Sequence, residues 1–383
     1  MNKASQNRQR PISLIECFEE VPDPRMERTR DHKLVDILCI GLCSILTVGE
    51  NFTDMEDFGK AKEAWLSKFL ELPKGIPSHD TFNRVFSAID PECFLDCFVR
   101  WVRGVCGMLE DEVVAVDGKA LRRALNQGDS LPYIVSAWAK ENGLALGQVK
   151  VDDKSNEITA IPELLRTLEI RGCIVTIDAM GCQKEIAGEI VAAGADYVLA
   201  LKKNHPTAFE EFQQYFDYTI AKQSSADLKD ALDTHKTIEK GHGRIETRRY
   251  WHSSDIAWFE DKKLWPELRS VGMVESIRQI NGKRSYERRY YLTSLELNAK
   301  RFAKAVRGHW AVENALHWTL DVTFGEDQSR ARTKYAAQNL ATLRRLCLNL
   351  VKKKRNPKLS IRRQRKLAAL RDDYLENLLG LDA

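Results

Sequence analysis

Glu112-Val-Val-Ala-Val-Asp-Gly-Lys119 is the stretch that decides how the chain is read. Four apolar residues, three of them valine, run straight into an aspartate. β-Branched residues suit a pleated surface, and an unbroken apolar run suits a strand covered on both faces. The reading is a buried strand that delivers Asp117 at its carboxyl end, with Gly118 supplying a turn. A carboxylate there is costly to desolvate unless it is paired or holds a cation. Taken alone, Asp117 also fits a turn-capping aspartate before glycine. The pattern recurs, however. Cys173-Ile-Val-Thr-Ile-Asp178-Ala-Met-Gly181 is a second apolar strand ending in Asp, followed by a small-residue turn and a helical stretch over 183–193. Two strands that bring Asp117 and Asp178 to one edge of a sheet can build a metal site. Mg²⁺ prefers hard oxygen ligands, takes one or two protein carboxylates and leaves room for substrate phosphates. The expectation is a metal-dependent phosphoryl-transfer site.

The chain of 383 residues is too long for one small core and suggests two or three domains. With 43% hydrophobic and 30% charged residues the composition is ordinary globular, so most of the chain can fold. A net charge of +4 says little about partners; its distribution says more. No apolar run reaches transmembrane length, and the polar, basic residues 1–10 are not followed at once by an apolar segment. A cytoplasmic protein with no membrane partner is expected. The nine cysteines are odd in number and scattered through apolar segments, with Cys39/Cys43 and Cys93/Cys97 four residues apart. Reduced buried thiols fit this better than zinc ligands or disulfides.

In chain order, residues 12–110 read as helical. Residues 34–48 predict a buried helix and 54–72 an amphipathic one. Ser78 caps a short helix that is followed, from Pro91, by another over 93–108. This pair resembles a helix-turn-helix offering His79, Asn83 and Arg84 to DNA, though most such pairs are packing units. Residues 132–140 and 144–151 are strand candidates around Asn142-Gly143, a hairpin signal. A helix over 161–168, the Asp178 strand, its helix, and a strand over 196–201 complete a mixed sheet with helices on its faces. Lys202-Lys203-Asn-His205 then offers either solvated charges or cations for a polyphosphate. Residues 206–298 interrupt with a helix (209–218), a polar stretch (227–237) and strands over 244–251, 272–279 and 284–294, the last two joined at Asn281-Gly282. The interleaved arginines and aromatics, Arg244 among them, fit either nucleic-acid contact or an exposed twisted hairpin.

Residues 298–351 return to helix. In Arg307-Gly-His-Trp-Ala-Val-Glu-Asn-Ala-Leu-His-Trp318, the residues His309, Glu313 and His317 are spaced to share one helical face. Glu313 is the natural third carboxylate for the Asp pair. A zinc site of His309, Glu313 and His317 ranks below it, because the spacing differs from the two-histidine helix of metallopeptidases. Asp321, Glu326 and Asp327 are rival carboxylates. From Lys352 to Lys366 the chain carries nine basic residues and no acidic one, including Lys353, Lys354, Arg355, Arg362 and Arg363. Beside a phosphoryl-transfer site this reads as a clamp on DNA phosphates.

These segments resemble the bacterial insertion-sequence transposases of the Asp-Asp-Glu type, and within them the H-repeat-associated transposases. The resemblance rests on Asp117-Gly-Lys-Ala-Leu-Arg122, Asp153-Lys-Ser-Asn-Glu-Ile-Thr-Ala-Ile-Pro-Glu163, Ile177-Asp-Ala-Met-Gly-Cys-Gln-Lys184, His242-Gly-Arg-Ile-Glu246 and the 307–321 stretch, with Gly75-Ile-Pro-Ser-His-Asp-Thr81 nearer the N-terminus. It covers nearly the whole chain. It implies an α/β fold: an RNase H-like mixed sheet with flanking helices, a β-rich insertion, and an N-terminal helical domain. The implied division is 1–110 helical, 111–205 first part of the core, 206–298 insertion, 299–350 last part of the core with the Glu helix, and 351–383 a basic tail and helix. The implied catalytic and metal-binding residues are Asp117, Asp178 and Glu313, holding two Mg²⁺, with Mn²⁺ a possible substitute. Lys119, Lys202, Lys203, Arg307 and His309 would contact phosphate. Related transposases often set Tyr, Arg and Lys around the Glu; here those positions are Val306, His309 and Leu320, with Lys304 or Arg307 available to assist. The implied activity is cleavage of double-stranded DNA at element ends and strand transfer into a target, by a homodimer that pairs two ends in the nucleoid. The rival readings are a nuclease without strand transfer and an inactive DNA-binding descendant.

Overall fold

The computed structural model describes residues 13–107, 109–123, 132–151, 157–221, 231–241 and 243–381. It begins with a helical layer: α1 (Leu14–Glu19), α2 (Leu34–Leu46), α3 (Phe52–Leu66), α4 (His79–Ala88) and α5 (Pro91–Val105). Local chemistry starts these helices. Ser13 and Glu16 form a reciprocal capping box, as do Asn51 and Asp54. Ser78 caps α4 as expected, and Asp90 caps α5 with Pro91 in its first turn. Helix α2 is buried almost all round, as its apolar sequence predicts. Helix α3 stops at Leu66 rather than near 72. Leu72 adopts φ +44°, and its N–H is drawn to the Asp36 carboxylate on α2 at 3.0 Å. Helices α4 and α5 bury Phe82, Val85, Phe86, Phe94 and Phe98, so they serve as a packing unit. His79 and Arg84 remain exposed, with the His79 N–H and ring Nδ1 each 2.7 Å from Glu56.

The sheet follows. Its strands are β1 (Val113–Ala120), β2 (Tyr133–Ala139), β3 (Leu144–Val151), β4 (Ile174–Ile177), β5 (Asp196–Leu201), β6 (Leu232–Gly241), β7 (Arg244–Ser253), β8 (Ser270–Ile280) and β9 (Lys283–Thr293). Among the described residues they form one nine-stranded sheet in the order β3-β2-β1-β4-β5-β9-β8-β7-β6. Strands β1, β4 and β5 run parallel, while β1-β2-β3 is an antiparallel meander. This is the expected RNase H-like mixed sheet. The crossover helices are α6 (Glu157–Thr167) and α7 (Lys184–Ala192). The 153–163 motif begins outside the described residues and continues into α6, and His242 of the 242–246 motif also lies outside them.

The insertion, which opens with α8 (Pro206–Ala221), is continuous with this sheet. Strand β9 pairs antiparallel with β5, from Val198↔Thr293 to Leu201↔Tyr290. Asn281 and Gly282 both adopt positive φ, the geometry of the two-residue turn their sequence predicts. Strand β6 falls partly in the stretch read as merely polar. It is the sheet edge, largely exposed, and so carries no apolar signal.

The chain then forms α9 (Ala299–Ala311), a π-helical segment (Val312–His317), α10 (Trp318–Thr323) and α11 (Ala336–Lys353). Helix α9 packs Phe302, Ala305 and Val306 on Val113, Ile174, Val198, Val274 and Tyr291. Helix α11 joins sheet to helical layer: Asn349 bonds both ways to the Ala145 backbone at 2.8 Å, and Asn339 reaches the carbonyls of Phe86 and Ile89. The last segment is no loose tail. Helices α12 (Ile361–Leu370) and α13 (Asp372–Leu379) pack back on the chain, with Lys62 to Asp372 at 2.6 Å and Trp65 Nε1 to Glu376 at 2.7 Å. No helix among the described residues is long and apolar enough to cross a membrane.

Candidate active site

Alternation along the strands chooses what meets in the site. The parallel β1/β4 ladder ends at Val116↔Ile177, and Asp117 and Asp178 come next on each strand. β1 itself does not stop there. Its other neighbour, β2, holds it extended through Asp117↔Ser136 to Ala120↔Tyr133, so Asp117 lies inside the strand and Gly118 makes no turn. Gly118 is required for space: a Cβ would lie 2.3 Å from Tyr133 Cε1. Asp178 does open a turn, its Oδ1 accepting the Met180 N–H at 3.1 Å. That turn is pinned from the end of β5. Asn204 Nδ2 donates to the Ala179 carbonyl at 2.8 Å, and His205 Nε2 donates to the Cys182 carbonyl at 2.7 Å.

Helix α9 brings the remaining groups. Its Gly308 lies so close to β1 that a Cβ would be 2.5 Å from Val113 Cγ1. The next residue, His309, places Nδ1 3.2 Å from Thr176 Oγ1. A cleft of about 370 Å³ results, lined by Asp117, Thr176, Asp178, Lys202, Arg289, Tyr291, His309, Trp310 and Glu313, among others. All three sequence-predicted carboxylates therefore face one cavity. They do not converge on a point: among the described residues no group of three His, Cys, Asp or Glu is spaced to hold one ion. Glu313 sits in a π-helical turn that runs from Val312 to His317. His317 turns inward, with Nε2 3.3 Å from Asp117 Oδ2, while Glu313 stays exposed on the rim.

The electrostatics follow from this packing. Burial pushes the Asp117 carboxyl up, but the neighbouring His317 and His309 rings and the Gly118 N–H outweigh it and hold it below the usual carboxylate range. His309 is pushed down by burial, against the pull of Asp117 and Asp178.

The expected DNA-binding cations divide into two sets. Lys119 is engaged inside the protein, by Asp321, by Glu326 at 2.9 Å and by Asp327 at 3.6 Å. The rival carboxylates thus neutralise a lysine. Arg307 is paired with Glu239 at 2.9 Å. Lys352 lies over the Trp138 ring, 5.1 Å from its centroid. Lys202, Lys203, Arg244, Lys353, Lys354, Arg355, Arg362 and Arg363 are exposed. Of these, Lys202 reaches the cleft. Arg365 of the same basic run is buried, donating to the carbonyls of Ile45 and Thr323. Sequence reading noted the arginines and aromatics of 284–294 but singled out none. Arg289, which lines the cleft, was missed because nothing local marks one arginine of an alternating strand.

The chain belongs to the Transposase DDE domain family, which it matches over residues 109–350, with the family described as DDE_Tnp_1-associated matched over 15–102. It is 38% identical over 374 residues to YncI of Escherichia coli O157:H7, a protein named as a transposase, covering 96% of this chain and 94% of that one. It is 36% identical over 378 residues to YhhI of Escherichia coli (strain K12), named as an H repeat-associated transposase, covering 96% and 97%. A solved piggyBac transposase synaptic complex with hairpin DNA aligns at a TM-score of 0.45 and 11% identity, over 98% of this chain and 83% of that one.

Proposed function

We propose that this transposase cuts double-stranded DNA at the ends of its element and joins the freed 3′-hydroxyl to a target, with divalent ions held at Asp117, Asp178 and Glu313. The observation that carries this reading is the shared cleft: all three carboxylates line it, with Lys202 and Arg289 supplying positive charge beside them. The donor set suits a hard cation. Mg²⁺ needs only one or two protein carboxylates and completes its shell with water and phosphate oxygens, so the Asp117/Asp178 pair suffices to begin a site, and Mn²⁺ suits the same oxygens. When bound, such ions would polarise the phosphate and promote ionisation of the attacking hydroxyl. His317 orients Asp117 from behind. Asn204 and His205 fix the turn that carries Asp178. Lys202 draws the phosphate into the cleft. The exposed cations of 353–363, with Lys203 and Arg244, would steady the flanking duplex. Pairing two element ends requires a homodimer in the DNA complex, and chromosomal DNA as substrate places the protein in the cytoplasm at the nucleoid.

The test is metal-dependent nicking of a labelled duplex taken from the DNA flanking the gene. Wild type should nick it and, given a 3′-hydroxyl end, yield joined product. Nicking without joining would make the chain a nuclease. Binding without nicking would make it an inactive descendant.

A further inference from the structure

The helix that carries Glu313 lacks the arginine and lysine that related transposases set around it, holding His309 and Leu320 instead. The two cations the sequence offers in compensation are held by other partners and, unlike Arg289, do not line the cleft. Lys304 Nζ donates to the Asp111 carbonyl at 2.8 Å and lies 3.4 Å from Glu141. Arg307 is held by Glu239. The cleft is nonetheless lined by an arginine, and it comes from the insertion. Arg289 stands on β9, its guanidinium 4.7 Å from the centroid of the Trp310 ring. Glu287, two residues earlier on the same face, takes its Nε at 2.7 Å and its Nη2 at 3.1 Å. An arginine stacked on an indole and held by a carboxylate along its Nε–Nη2 edge loses little further freedom when its remaining Nη1 edge meets a phosphate.

We propose that Arg289, delivered by the insertion and positioned by Trp310 and Glu287, grips the DNA phosphate beside the acidic residues. The assignment rests on the strand-cleavage reading above. It also gives the insertion a role. By pairing β9 to β5, the fold carries a distant arginine to the same face as Lys202 and Asp178. The sheet register, not the Glu helix, then provides the phosphate-binding cation.

The full-length chain and its R289K and R289Q variants test this, with duplex DNA flanking the gene as probe. Two measurements are made: nicking with Mg²⁺ or Mn²⁺, and the dependence of Kd on salt in the presence of a chelator. R289Q should nick about a hundredfold more slowly. Its plot of log Kd against log salt should be shallower by about 1, as when one phosphate is no longer neutralised. R289K should keep the salt slope and recover part of the rate. An unchanged slope in R289Q overturns the proposal, whether or not the melting temperature falls, because it would make Arg289 a structural residue. Failure of wild type to nick would count against strand cleavage alone, since the binding measurement needs no catalysis.

Discussion

Lys119 Nζ lies 2.9 Å from Glu326 Oε2, and the other oxygen of the same carboxylate accepts from Arg345 Nη1 at 3.0 Å. Glu326 and Arg345 are buried, so this network is shielded from water. Removing one partner of a buried ion pair strands the other charges. E326Q should therefore lower stability by roughly 3–5 kcal/mol, read as a shift in the denaturant midpoint. A shift within error would show that Lys119 and Arg345 find other partners.

The same carboxylate predicts a pH dependence. Burial pushes Glu326 up, but Arg345, Lys119 and Arg344 outweigh it and hold it at about 2 against an ordinary 4.5. A depressed folded-state value means that the stabilisation is complete above the unfolded value. It is lost as pH falls from about 4.5 through about 2. Melting curves should show wild type losing stability across that window, with E326Q lacking this part of the decline. Parallel curves would refute the assignment.

Asp117, Asp178 and Glu313 should each be needed for cleavage. Replacing any one with Ala is expected to slow strand cleavage by about a thousandfold or more, equivalent to several kcal/mol of transition-state stabilisation. DNA affinity should hold. Equal cleavage by wild type and variants would exclude all three residues together. Unchanged cleavage in the Glu313 variant alone would leave the two strand-borne aspartates as the whole set.

Gly308 should prove a positioning residue through its backbone. G308A places a Cβ against Val113 and should cost roughly 1–3 kcal/mol of overpacking. Because His309 follows directly, cleavage should fall as well. V113A in the same chain should restore part of both, a coupling that a double-mutant cycle measures. Additive effects would mean that α9 accommodates the methyl by another route.

The basic run should divide by exposure. Replacing Arg355, Arg362 and Arg363 with Ala should flatten the salt dependence of DNA binding, by about 0.9 for each phosphate left without its cation, with no change in melting. K352A should do the reverse. It removes a cation over Trp138, at a cost of about 0.5–2 kcal/mol, and leaves the salt slope alone. If K352A flattened the slope, the ring would not be what holds this lysine.

Much of the fold was legible because its causes are local. The apolar runs at 113–116 and 174–177 marked buried strands, Ser78 and Pro91 marked helix starts, and Asn281-Gly282 marked a tight hairpin. The recurrence of an apolar strand ending in aspartate likewise pointed to a shared edge, because side-chain alternation fixes their face once the strands lie side by side. Other outcomes depended on partners far along the chain. β1 runs past Asp117 because β2 pairs with it there. The insertion joins the sheet because β9 meets β5. His317 is buried beside Asp117 while Glu313, four residues earlier, stays exposed. The cations were least legible of all. Lys119, Arg307 and Lys352 look like phosphate ligands in sequence, yet their partners lie at 321–327, 239 and 138. Arg289 looked ordinary and lines the cleft. Periodicity and capping act over a few residues, so the sequence by itself determined the elements and the faces of the acids. What a charged side chain meets depends on what packing brings to it, so the tertiary structure alone decided which basic residues are paired, which are exposed and which line the cleft.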